Sequence, residues 1–122
     1  EGFFMSKENE LIQLDIELLE GYLQSLGHST VKKMFALYEQ QVVLYLNNIN
    51  DSFLTDNQQL WEEHCHKMKG AAGSVGLKAL HARLKNMEKM TTTKSDKAQQ
   101  FAELTKHNTI AMEAFANWLN NK

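Results

Sequence analysis

His66, Lys69 and Gly70 fall within one stretch, Glu62 to Leu77 (EEHCHKMKGAAGSVGL), whose residues divide between two sides of a helix. Glu62, His66, Lys69, Gly70 and Gly73 recur at helical spacing, so a carboxylate, an imidazole, an ammonium and two bare backbone positions share one face. Trp61, Cys65, Met68, Ala72 and Val75 recur at four, three, four and three, which makes them the buried stripe. Helical side chains lean toward the N-terminus, so a side chain at position 70 would lie over the turn that carries His66. Glycine there leaves the imidazole uncovered. A helical glycine costs about 1 kcal/mol relative to alanine, and access to the ring is a use that offsets it. Lys69 sets a positive charge one turn along, and Lys67 adds another at the edge. An open imidazole flanked by cations suits a phosphoryl group.

Other chemistries fit these residues less well. His64, Cys65 and His66 are consecutive, but successive helical residues point about 100° apart and do not converge on one metal ion. The same geometry separates Cys65 from His66 as a nucleophile and base pair, and Cys65 belongs to the apolar stripe. The segment GAAGSVG lacks the Lys-Ser/Thr ending of a phosphate-binding loop and follows a helix, which argues against nucleotide binding. His28, His81 and His107 have no convergent partners in sequence. Glu62, one turn before His66, is placed to hold one imidazole nitrogen and free the other for attack, with a plain surface carboxylate as the competing reading.

The set His66, Lys69 and Gly70, continued by Ala71, Ala72, Gly76, Leu77 and Leu80, resembles the histidine phosphotransfer domains of bacterial phosphorelays, and most closely those that end tripartite hybrid sensor kinases. The resemblance implies that His66 accepts a phosphoryl group from the aspartate of one receiver domain and passes it to another. It implies that Lys69 stabilises the phosphate and Gly70 gives access, and Glu62, Lys67 and Gly73 are the expected partner-facing residues. It also implies that Mg²⁺ and the acidic pocket come with the receiver, so no cofactor or metal is expected in this domain and ATP is not used directly. A second reading, from another class, is a helical interaction module whose His66 contacts a partner without being phosphorylated.

Composition limits what must position these residues. A chain of 122 residues with 43% apolar content holds one core and no second catalytic domain. Proline is absent and long runs of helical period dominate, so an all-α fold is expected. No apolar run approaches the roughly 20 residues of a membrane span, so no direct membrane contact is expected. One cysteine precludes an internal disulfide and fits a reducing cytoplasm. A net charge of −2 argues against a nucleic-acid surface. The expected setting is cytoplasmic, as a monomer in isolation or as the C-terminal domain of an inner-membrane sensor kinase.

Taken in order, residues 1–8 show neither cap nor period and read as a disordered or linker remnant, leaving 9–122 as a single phosphotransfer domain. Asp15 caps a short helix striped by Ile16, Leu19, Leu23 and Leu26 and closed by Gly27. Ser29 or Thr30 caps a long helix carrying Val31, Phe35, Tyr38, Val42, Tyr45, Ile49 and Phe53. Asp56 with Gln59 forms a capping box before the helix of His66. Leu77, Leu80, Leu84 and Met87 mark a fourth helix. Ser95 caps a last one striped by Phe101, Leu104, Ala111, Phe115 and Trp118. Short connections predict an antiparallel up-down four-helix bundle with an additional short N-terminal helix.

Overall fold

The structure, a computed structural model, describes residues 2–122, with side chains from residue 7 onward. The described residues form six helices: α1 (Gly2–Gln13), α2 (Ile16–Leu26), α3 (His28–Leu54), α4 (Gln58–Ser74), α5 (Lys78–Glu88) and α6 (Lys94–Asn120). The last four pack in a ring, α3 on α4, α4 on α5, α5 on α6 and α6 on α3, which is the antiparallel four-helix bundle. The short helix α2 lies against α3.

Local chemistry sets the helix ends. The Asp15 carboxylate accepts from the Leu18 amide at 3.1 Å to start α2, and Gly27 stops it at φ 85°. The long α3 begins directly after Gly27 with no side-chain cap, so Ser29 and Thr30 lie inside its first turn and do not cap it. Asp56 does not cap α4 either: it sits at φ 53°, in the left-handed region, and Asn57 accepts from the Leu60 amide at 3.0 Å in its place. At the other end of α4, Leu77 N–H donates to Ala72 at 2.9 Å and Gly76 N–H to Gly73 at 3.1 Å. These two bonds form a Schellman closure around Gly76 at φ 74°. A Cβ at residue 76 would also lie 2.8 Å from Leu19, so glycine is required there twice over. Thr93, not Ser95, caps α6 by accepting from the Asp96 amide at 3.1 Å.

Residues 2–8, expected to be a disordered or linker remnant, lie within α1, which packs on α5 and α6. Among its described residues the buried ones, Glu10 and Gln13, are polar, while Leu11 and Ile12 are more than 60% exposed. That inversion leaves no apolar period to read.

The core is the set of stripes expected from helical spacing: Trp61, Cys65, Met68 and Ala72 of α4 meet Leu80, Leu84 and Met87 of α5. Phe35 stacks on Phe115 with ring centroids 4.5 Å apart, joining α3 to α6. Tyr38 Oη donates to Asn108 Oδ1 at 2.7 Å across the same pair, and burial pushes that phenol up from its ordinary pKa. The C-terminal end of α5 is fixed from two sides. Trp61 Nε1–H donates to the Met87 carbonyl at 2.7 Å, and Gln58 Nε2 donates to the Met90 carbonyl at 2.9 Å. Lys97, buried despite its charge, donates to Gln58 Oε1 and lies 5.3 Å from the Trp61 ring centroid. These bonds hold the turn of α5 that faces His66.

Candidate functional site

His66 rises from the middle of α4 with 67% of its side chain exposed. Its Nδ1 lies 2.8 Å from Glu88 Oε1, on the last residue of α5. The Lys69 ammonium lies 3.1 Å from Oε1 and 3.3 Å from Oε2 of the same carboxylate. One glutamate therefore ties two α4 side chains, one turn apart, to the neighbouring helix.

The electrostatics follow from that arrangement. Partial desolvation pushes the Glu88 carboxyl up, but hydrogen bonds from Lys69 and His66, with the attraction of their charges, bring it to a net value below the usual one. An ionised carboxylate only accepts, so Nδ1 carries the proton toward Glu88. Nε2 of the neutral ring is then the unprotonated nitrogen, with its lone pair available for attack. Gln59, Glu62, Glu63, His66, Lys67, Glu88 and Lys89 line a shallow hollow around the ring.

The other predicted residues separate into distinct roles. Gly70 is exposed, and a Cβ built on it would meet nothing within 4 Å, so packing does not require glycine there. At Gly73 a Cβ would lie 2.9 Å from Cδ2 of His81, so glycine there permits close approach of α4 and α5 and is not part of the open face. Lys67 and Glu62 are exposed and line the hollow. The imidazole bond assigned to Glu62 is made by Glu88, twenty-two positions after His66. Sequence reasoning missed Glu88 because its tie to α4 exists only once α5 has docked. A usable signal was its place directly after Met87, at the margin of the α5 stripe.

Cys65 is fully buried, and burial pushes its thiol up to about 12, leaving it protonated at neutral pH. The remaining histidines are dispersed. His28 Nε2 lies 3.4 Å from the Leu119 carbonyl, His107 lies 3.6 Å from Glu103, and His81 packs on Gly73. Among the described residues no three His, Cys, Asp or Glu side chains are grouped to hold a metal ion. No described helix is long and apolar enough to cross a membrane. What the site offers is a presented nitrogen nucleophile, a buttressing carboxylate and a cation beside it.

Comparison with known proteins identifies the family. The family model of the Hpt domain matches residues 33–118. The aerobic respiration control sensor protein ArcB of Escherichia coli O157:H7 is 37% identical over 67 residues, and that of strain K12 is 36% identical over 67 residues. Those matches cover 55% of this chain and 9% of either relative, so the chain spans a small part of their length. The solved histidine-containing phosphotransfer domain of ArcB from Escherichia coli superposes with a TM-score of 0.80 at 24% identity, covering 89% of this chain and 94% of that one. Its solution structure gives the same TM-score over 92% and 91%. With the bundle and the family match in agreement, the chain belongs to the Hpt domain family and serves as a phosphorelay intermediate in two-component signalling.

Proposed function

We propose that His66 is the phospho-acceptor and that Nε2 is the atom phosphorylated. The Nε2 lone pair attacks phosphorus of a receiver aspartyl phosphate in line; the N–P bond forms as the P–O bond to the aspartate breaks, and the carboxylate leaves with that electron pair. No proton needs to leave the ring. The product keeps Nδ1–H and becomes cationic, and the Glu88 carboxylate stabilises that charge as it develops. Lys69 is close enough in sequence and space to turn from Glu88 toward the phosphoryl oxygens, offsetting charge during transfer. Attack by a second receiver's aspartate on the same phosphorus reverses the sequence and regenerates the ring.

The observation that carries this reading is the 2.8 Å contact between His66 Nδ1 and Glu88, which leaves Nε2 unprotonated on an exposed helix face. The proposed partners are receiver domains, which supply the acidic pocket and Mg²⁺. The proposed setting is the cytoplasmic phosphotransfer module of a hybrid sensor kinase, a reading supported by the relatives' being sensor proteins. The test is intact-mass spectrometry after incubation with a phosphorylated receiver domain at neutral or alkaline pH. One added phosphate, lost on brief acid treatment and mapped to His66, is expected; no mass gain would favour a module that binds without being phosphorylated.

A further inference from the structure

Helix α3 buries Val31, Tyr38, Val42, Ile49 and Phe53 on one side, yet its opposite side is not uniformly polar. There Lys33, Leu37, Gln40, Leu44, Asn47 and Asp51 recur at four, three, four, three and four, the spacing of a seam along which two helices pack. All six are exposed. Leu37 and Leu44 are 53% and 61% exposed, and Val43, flanking the seam, is 59% exposed. A single exposed leucine is ordinary; three large apolar side chains clustered on one helix face call for a partner.

The ends of the seam identify that partner. Lys33 and Asp51 carry opposite charges, and neither is in an ion pair among the described residues. An antiparallel copy related by a two-fold axis at the level of residue 42 sets each seam position against the one equally far beyond the axis. Lys33 meets Asp51, Leu37 meets Asn47, Gln40 meets Leu44, and Val43 meets its own counterpart beside the axis. Val43 then packs on its own counterpart beside Leu44 at the middle, each leucine lies against an amide side chain, and complementary charges close both ends, as a self-complementary isologous interface requires. Parallel pairing in register would set lysine on lysine and aspartate on aspartate.

We propose that α3 is a homodimer interface, in which two copies of this chain pack antiparallel along the seam from Lys33 to Asp51, in place of the monomer expected from the sequence. One helix per copy buries less than a standard protein interface, so the association is reversible and depends on concentration.

Sedimentation equilibrium of the 122-residue chain from about 10 μM to 1 mM tests this, with an average mass rising toward the dimer as the expected result. Leu44→Glu should move the midpoint at least about tenfold higher in concentration, with an unchanged helical spectrum because the residue is exposed. Lys33→Glu should weaken association, and adding Asp51→Lys should restore it. Under mild oxidation Val43→Cys should cross-link to its own copy and Lys33→Cys should not, with buried Cys65 silent in both. A monomer at every concentration overturns the proposal, as does cross-linking through Lys33→Cys alone or failure of the charge swap to restore association. If the chain stays monomeric and Leu44→Glu weakens receiver binding, the face belongs to the receiver and the second copy is excluded.

Discussion

The carboxylate of Glu88, the last residue of α5, accepts a hydrogen bond at 2.8 Å from Nδ1 of His66 in the middle of α4. Replacing Glu88 should therefore change the tautomer of the ring. Glu88→Gln keeps a neutral acceptor for Nδ1–H, whereas Glu88→Ala removes it. Imidazole ¹⁵N shifts should show the Nδ1–H form retained with glutamine and Nε2–H gaining population with alanine. Phosphotransfer should slow by about tenfold with glutamine and by about a hundredfold with alanine, on the scale of losing one electrostatic contact to the developing charge. An unchanged tautomer in the alanine variant would remove Glu88 from the mechanism.

His66→Gln should abolish phosphate acceptance and leave stability within about 0.5 kcal/mol, because the side chain is mostly exposed and its one polar contact is at the surface. Thermal melts alongside labelling by a phosphorylated receiver would check both halves. Label retained by the variant would direct attention to His64 or another histidine.

Lys69→Ala should slow transfer by about tenfold to a thousandfold while changing receiver affinity less, since the ammonium acts on charge that develops during the reaction. It should not alter the His66 tautomer, because the bond from Nδ1 to Glu88 does not pass through Lys69. Single-turnover kinetics with one receiver domain separate rate from affinity, and an unchanged rate would reduce Lys69 to a structural tie for Glu88.

Gly70 and Gly73 should respond differently to added side chains. Gly70→Ala meets open space and should stabilise the domain by up to about 1 kcal/mol. Gly70→Leu should keep the fold but cover the imidazole and block transfer. Gly73→Ala must displace the His81 ring, 2.9 Å from the new Cβ, so its net effect should fall below that of Gly70→Ala, and adding His81→Ala should recover the difference. Chemical denaturation of the four variants measures this, and transfer at the parent rate by Gly70→Leu would refute the access role.

Acid should loosen the site through Glu88. Its folded-state value lies below the ordinary carboxylate value, so its stabilising contribution is complete above about pH 4.5, the unfolded range, and is lost as pH falls through the folded value. The contribution is at most about 1 kcal/mol, as for other partly exposed ion pairs. The difference in melting temperature between the parent and Glu88→Gln should be present at pH 6 and vanish as pH falls toward 3. A difference independent of pH would mean that shape, not charge, sets the effect.

The sequence by itself determined the all-α class, the four main stripes and the face that carries His66, Lys69 and Gly70. These are readable because an α-helix brings residues three and four apart together whatever surrounds it, and Trp61, Cys65, Met68 and Ala72 follow that rule. Asp15 and Gly27 were legible for the same reason, since caps are local chemistry. At Asn57 and Thr93 the caps fell one or two positions from those expected, because several capping side chains stand side by side and backbone geometry chooses among them. Helix α1 was illegible because, among its described residues, the buried ones are polar and Leu11 and Ile12 face outward. Only the tertiary structure decided which carboxylate holds the imidazole. Glu62 had the helical spacing, but the docking of α5, fixed by Trp61 on the Met87 carbonyl, brings Glu88 to Nδ1 from a distant part of the chain. It likewise separated two glycines that spacing had grouped: Gly70 opens onto solvent, while Gly73 lets His81 approach, a difference set by the neighbouring helix.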